Sequence, residues 1–156
     1  MPGVVLKRME GFRVAYVPHT GPYAEIGVAF QRLIYLLRER RLRADGPMIA
    51  LYYDDPANAG VEARSEACVP VLGEVRPDSE LRVRDLPPSS VASLIHDGPP
   101  SRYSESYRLL DSWIKANGYV RAGPVREVYA RDLSEIPPGI LYAEIQIPVR
   151  RKGHRA

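Results

Sequence analysis

Short apolar runs at residues 14–18 and 91–95 each end at a Gly-Pro step, which predicts a strand running into a turn at both places. Beyond each turn the period changes. Ile26, Phe30, Leu33 and Leu37 recur at helical spacing, and so do Tyr103, Tyr107, Leu110 and Ile114. Pro22 and Pro99 suit the first turn of these helices, with Thr20 and Asp97 placed to cap free amides. Each helix should end before Gly46-Pro47 or Gly123-Pro124. Strands are expected at 48–53 and 125–130, and again at 65–71 and 142–149. The acidic stretches 54–60 and 132–139, which contain Gly and Pro, read as the loops of long hairpins.

The two series are copies of one unit. Residues 6–55 overlie 83–132 without a gap, an offset of 83 − 6 = 77, and ten of the paired residues are identical where about four would arise by chance. His19, Gly21 and Pro22 match His96, Gly98 and Pro99. Gly46-Pro47 matches Gly123-Pro124, and Tyr52 matches Tyr129. After one added residue, 66–71 overlie 144–149. The expected architecture is α+β: duplicated strand-helix-strand-strand units forming a pseudo-twofold antiparallel sheet with two helices on one face. A single domain at 1–149 would hold repeats 4–72 and 81–149, docked through the short link at 73–80, with a basic tail at 150–156.

Composition narrows the function classes. The 156 residues carry Lys+Arg 22 against Asp+Glu 19, a net charge of +3, but Arg150, Arg151, Lys152 and Arg155 sit in the last seven positions. Without that tail the body has a charge of 3 − 4 = −1, so the tail reads as a solvated terminus and direct DNA binding is not expected. No apolar run approaches the roughly 20 residues of a membrane span, and no signal peptide is evident, so a cytoplasmic protein with no membrane partner is expected. The lone Cys68 excludes an intramolecular disulfide framework and sits in a strand pattern as a small hydrophobe. His19 and His96 precede equivalent turns, which favours local hydrogen bonds over ligation. No metal spacing, phosphate loop or nucleophile elbow appears, so no cofactor and no metal are expected.

Several segments resemble the GyrI-like small-molecule-binding family, which also supplies effector-binding domains of multidrug-sensing transcription regulators. They are His19-Thr20-Gly21-Pro22-Tyr23, Tyr52-Tyr53-Asp54-Asp55-Pro56, the run from Gly123 to Tyr129, and the run from Ala143 to Pro148. The resemblance implies a pseudo-symmetric pair of units with a pocket between them, lined by aromatic rings around a buried glutamate. It also implies a hydrophobic or cationic small-molecule ligand, and leaves room for a separate protein partner.

The places where the copies differ point to the ligand site, because the shared fold already explains what they share. Glu127 stands where the first copy has Ala50, on the same strand face as Val125 and Tyr129, so an acid and a phenol sit together. Such a carboxylate among rings attracts a lipophilic cation by charge and cation–π contact. The plain alternative is an exposed ion pair with Arg126 or Arg131. Glu66 and Glu144 are equivalent, which suggests a shared structural bond, while Tyr142, Glu144 and Gln146 share a face by which Glu144 could also reach a ligand. Tyr107 replaces Phe30, Trp113 replaces Leu36 and Tyr119 replaces Leu42, enriching the second copy in rings. Tyr107 fits helix core equally well, whereas Trp113 lies off the main stripe and suits a pocket wall. Tyr16, Tyr23 and Tyr52 are the first copy's contributors, with Tyr52 facing Tyr129 across the pseudo-axis.

These residues favour a stand-alone binding protein for amphipathic aromatic or cationic compounds. The resemblance also implies an alternative, a metal-free hydrolase of cyclopropane-type electrophiles with Glu127 as catalytic base. A second alternative is a gyrase-inhibitor-like interaction through the basic cluster Arg38, Arg40, Arg41 and Arg43 and the tail.

Overall fold

The computed structural model describes residues 3–54, 62–129 and 141–153. The predicted hairpin loops fall outside them, except Asp54, as do Arg131 and His154. In chain order the elements are β1 (Val5–Met9), β2 (Phe12–Thr20), α1 (Gly27–Glu39), β3 (Ile49–Tyr52) and β4 (Arg64–Pro70). After them come β5 (Arg82–Leu86), β6 (Ser89–Gly98), α2 (Tyr103–Ala116), β7 (Tyr119–Arg121), β8 (Val125–Tyr129) and β9 (Leu141–Arg151). The α+β class, with antiparallel pairing and two helices, is the one the sequence pattern predicts. Among the described residues no helix is long and apolar enough to cross a membrane.

The chain divides into two compact units. One is contiguous, Gly11–Pro87; the other is discontinuous, Met1–Glu10 with Pro88–Ala156. The contiguous unit is an antiparallel sheet in the order β5-β2-β4-β3 with α1 packed on β2 and β4. The discontinuous unit repeats that order as β1-β6-β9-β8, with α2 packed on β6. The first strand of each sequence copy therefore serves the other copy's sheet. The hydrophobic pattern predicts neither β1 nor β5, because each is a five-residue edge strand rich in charge, Val-Leu-Lys-Arg-Met and Arg-Val-Arg-Asp-Leu. Each is joined to the strand that follows it by two residues without pairing to it. At β5 the joint is Pro87-Pro88, whose fixed φ and missing amides do not suit a hairpin turn.

The repeated punctuation has a packing cause. A Cβ at Gly46 would stand 2.8 Å from Pro70 Cγ, and one at Gly123 would stand 3.3 Å from Pro148 Cβ. Beside each contact an amide donates to the same proline's carbonyl, Asp45 to Pro70 at 2.7 Å and Ala122 to Pro148 at 2.8 Å. The Gly-Pro steps thus let the chain lie flat on a strand proline in both copies.

Helix starts depart from the predicted capping. Pro22 and Pro99 each precede a short 3-10 turn, Tyr23–Glu25 and Pro100–Arg102, and no side chain caps either one. Thr20 belongs to β2 and Asp97 to β6. The histidines hold these turns instead: the ring Nε2 of His19 donates to Pro22 O at 3.4 Å and that of His96 to Pro99 O at 3.3 Å. Arg150 and Arg151, assigned above to the tail, continue β9 and pair with β7. In the first copy β7 is reduced to one bridge, Ala44 with Val71. In the contiguous unit Leu33 and Leu36 of α1 and Ala15 and Ala67 of the sheet are buried, in the other Leu110 of α2 and Ala143, Ile145 and Ile147 of β9, and Cys68 is buried as its strand pattern indicates.

Candidate functional site

Strand alternation sets which side chains meet. On β8, Val125, Glu127 and Tyr129 face α2, and Glu127 is 4% exposed. Its Oε1 accepts a hydrogen bond from the Tyr129 hydroxyl, two residues along the strand, at 2.7 Å. Its Oε2 accepts one from the Tyr107 hydroxyl, presented by α2. Two phenols thus replace the water that a buried carboxylate has lost. Arg126, the ion-pair partner of the plain alternative, is one residue away and so projects to the opposite face.

The polar cluster extends through rings. Tyr103, one helical turn before Tyr107, meets its ring edge-on at 5.5 Å, and His96 meets Tyr103 edge-on at 4.8 Å. His96 is buried and held at both nitrogens, since Nε2 donates to Pro99 O and Nδ1 therefore accepts from Ser106 Oγ at 2.8 Å. The sequence reading passed over Tyr103, His96 and Ser106 as site residues. A signal was present: Tyr103 replaces Ile26, the same kind of exchange that singles out Tyr107 over Phe30.

Glu144 lies on the other face of its sheet. The register sets Glu127 opposite Ile145, and Val128 opposite Glu144, so the two acids point apart. Glu144 Oε2 pairs with Lys7 Nζ at 2.6 Å and accepts from Ser93 at 2.7 Å and Gln146 at 2.9 Å. Burial pushes the Glu144 carboxyl up, but the bonds from Lys7, Ser93 and Gln146 outweigh it and hold the group below its usual range. Glu66 makes the equivalent pair with Arg84, the residue of β5 that overlies Lys7. Here burial prevails over Arg84 and Tyr53 and pushes the carboxyl up. The shared structural role is thus a pair of acids, each anchoring the exchanged first strand.

The remaining candidates are dispersed. Tyr16 shares a face with Glu66, and its ring is covered by the Arg84 guanidinium at 4.7 Å. Tyr142, 38% exposed, shares the Glu144 face. Tyr52 is buried on the helix face of the contiguous unit, its ring 4.3 Å from Tyr23. The Tyr23 hydroxyl accepts from the Asp54 amide at 2.8 Å and lies within donating distance of Asp54 O and Arg64 O. Trp113 stacks at 5.7 Å on Tyr119, whose ring also carries Arg151 at 5.2 Å. Six residues past Tyr107, it stands about 9 Å further along α2. Around Glu127 the structure brings together Tyr129 and Tyr107 of the predicted set, while Tyr23 with Tyr52 and Trp113 with Tyr119 form separate ring pairs.

The described residues thus combine two helices and antiparallel strands with one buried acid that two phenols hold. The model of the GyrI-like small molecule binding domain matches residues 3–150, and the chain belongs to that family. No curated protein sequence matches the chain significantly. Among solved structures it is similar to the EcmrR C-terminal domain, with a TM-score of 0.84 and 20% identity over 97% of this chain and 99% of that one. In the EcmrR–DNA complex the likeness spans 58% of the longer chain. A hydrolase from Listeria innocua gives a TM-score of 0.69 at 14% identity, covering 95% of this chain and 92% of that one. SAV2435 bound to tetraphenylphosphonium gives 0.62 at 16% identity, covering 94% and 93%. At these identities the likeness is one of fold.

Proposed function

We propose that this protein binds amphipathic, aromatic or cationic small molecules at Glu127, in the manner of a drug-binding or sensing domain. The observation that supports this most is the carboxylate itself, buried and held at each oxygen by a phenol, with Tyr103 and His96 extending the ring surface. A delocalised cation gains both the fixed charge and the ring faces there, and has no need of a hydrogen bond from the acid. That SAV2435, of the same fold, holds tetraphenylphosphonium agrees with the proposed ligand class.

Isothermal titration with tetraphenylphosphonium and a rhodamine dye tests the reading. Glu127→Gln keeps the shape and removes the charge, and should weaken both ligands at least about tenfold. Equal affinity in wild type and variant would overturn the role of Glu127. Turnover of a cyclopropane-containing electrophile, lost in Glu127→Ala, would replace binding by catalysis.

A further inference from the structure

Around Glu127 the second copy differs from the first in four residues, and each exchange adds a polar group to one connected cluster. Ile26, Ala29, Phe30 and Ala50 give way to Tyr103, Ser106, Tyr107 and Glu127. Histidine stands in both copies. His19 and His96 each bond the carbonyl of the proline three residues on, Pro22 at 3.4 Å and Pro99 at 3.3 Å, so the turn itself uses only that bond. The other ring nitrogen marks the difference. His96 Nδ1 accepts from Ser106 Oγ at 2.8 Å, where the first copy has Ala29 and no hydroxyl to offer.

Buried and bonded at both nitrogens, the His96 ring can neither flip nor turn without leaving a polar atom unsatisfied. That fixed ring starts a ladder. Its plane stands at 86° to Tyr103, and Tyr103 stands at 79° to Tyr107, whose hydroxyl bonds Glu127. Tyr103, Ser106 and Tyr107 lie at i, i+3 and i+4 and so share one face of α2. Tyr103, Tyr107 and Tyr129 are only half-buried, which leaves ring surface accessible beside the buried carboxylate.

We infer that Ser106 and His96 are positioning residues that make the Glu127 site selective for cations bearing aromatic rings. The inference rests on the binding proposed above. Glu127 attracts any lipophilic cation, whereas edge-to-face packing on a ring of set orientation is open only to a ligand that has rings itself. Ser106 fixes the imidazole and the imidazole fixes Tyr103. A ring held before contact loses little conformational entropy when the ligand arrives. Neither Ser106 nor His96 has to touch the ligand for this.

Titration of the full chain with tetraphenylphosphonium and with tetrabutylphosphonium, which has the same charge and no rings, tests the inference. Ser106→Ala and Tyr103→Ile each install the residue that the first copy carries at that place, so the scaffold accommodates both, and far-UV circular dichroism checks their folding. Each should weaken tetraphenylphosphonium about fivefold and tetrabutylphosphonium by less. The double variant should bind tetraphenylphosphonium no more weakly than Tyr103→Ile alone, because Ser106 acts through a ring that is then absent. Without ligand, nitrogen-15 spectra of the neutral His96 ring should show the proton on Nε2 and none on Nδ1. Wild-type affinity in Ser106→Ala, equal losses for the two cations, losses that multiply in the double variant, or the opposite tautomer overturns the inference. If Glu127→Gln weakens both cations while Ser106→Ala weakens neither, the proposed function stands and the positioning role falls. A wild type that binds neither cation overturns both.

Discussion

Tyr107 and Tyr129 share one acceptor group, and removing either donor leaves part of a buried carboxylate unsolvated. Tyr107→Phe should lower stability by about 1–3 kcal/mol in urea denaturation, because the ring remains while the hydrogen bond to the buried Glu127 is lost. Glu144 gives the opposite test, of a carboxylate whose charge the fold stabilises. Its pKa in the folded protein lies below the unfolded value, so its contribution is full above the unfolded pKa and fades as pH falls through the folded one. The difference in unfolding free energy between wild type and Glu144→Gln should therefore be positive at pH 7 and shrink under acid. A pH-independent difference would remove Lys7, Ser93 and Gln146 as the cause. Glu127 was legible in the sequence as an acid standing where the other copy has Ala50. Its separation from Glu144 was not, because alternation shows which residues of one strand share a face, and only the inter-strand register shows which faces coincide.

At the scale of elements, the helices and long strands follow from periodicity, and the two glycine contacts can be ranked. Gly46→Ala should cost more than Gly123→Ala, since a Cβ meets Pro70 Cγ at 2.8 Å in the first case and Pro148 Cβ at 3.3 Å in the second. Thermal melts of the two variants check the order. The edge strands are the elements that pattern alone misses. β1 pairs with β6 over five positions and adds the Lys7–Glu144 bridge, so deleting residues 3–10 should speed amide exchange along β6. Exchange in β2 and β4 should stay unchanged, because β2 pairs with β5 and β4, and β4 with β2 and β3. Neither β1 nor β5 shows a hydrophobic period, since a five-residue edge exposes most of what it carries.

For the whole molecule, the net charge of +3 points to a basic terminus, yet Arg150 and Arg151 are ordered in β9 and Arg151 lies on the Tyr119 ring. The same order gives an optical handle. Trp113 is the only tryptophan and stacks on Tyr119 away from Glu127, so Arg151→Ala should alter its fluorescence more than Glu127→Gln does. The sequence by itself determined the duplication, the helices, the strands at 14–18 and 91–95 with their turns, and the exchange of Ala50 for Glu127 between the copies. All of these rest on local periodicity and on comparison of the chain with itself. Only the tertiary structure decided that the first strand of each copy joins the other copy's sheet, and that the two candidate acids point to opposite faces. Both depend on hydrogen-bonded pairing between segments far apart in the chain, which no local period encodes.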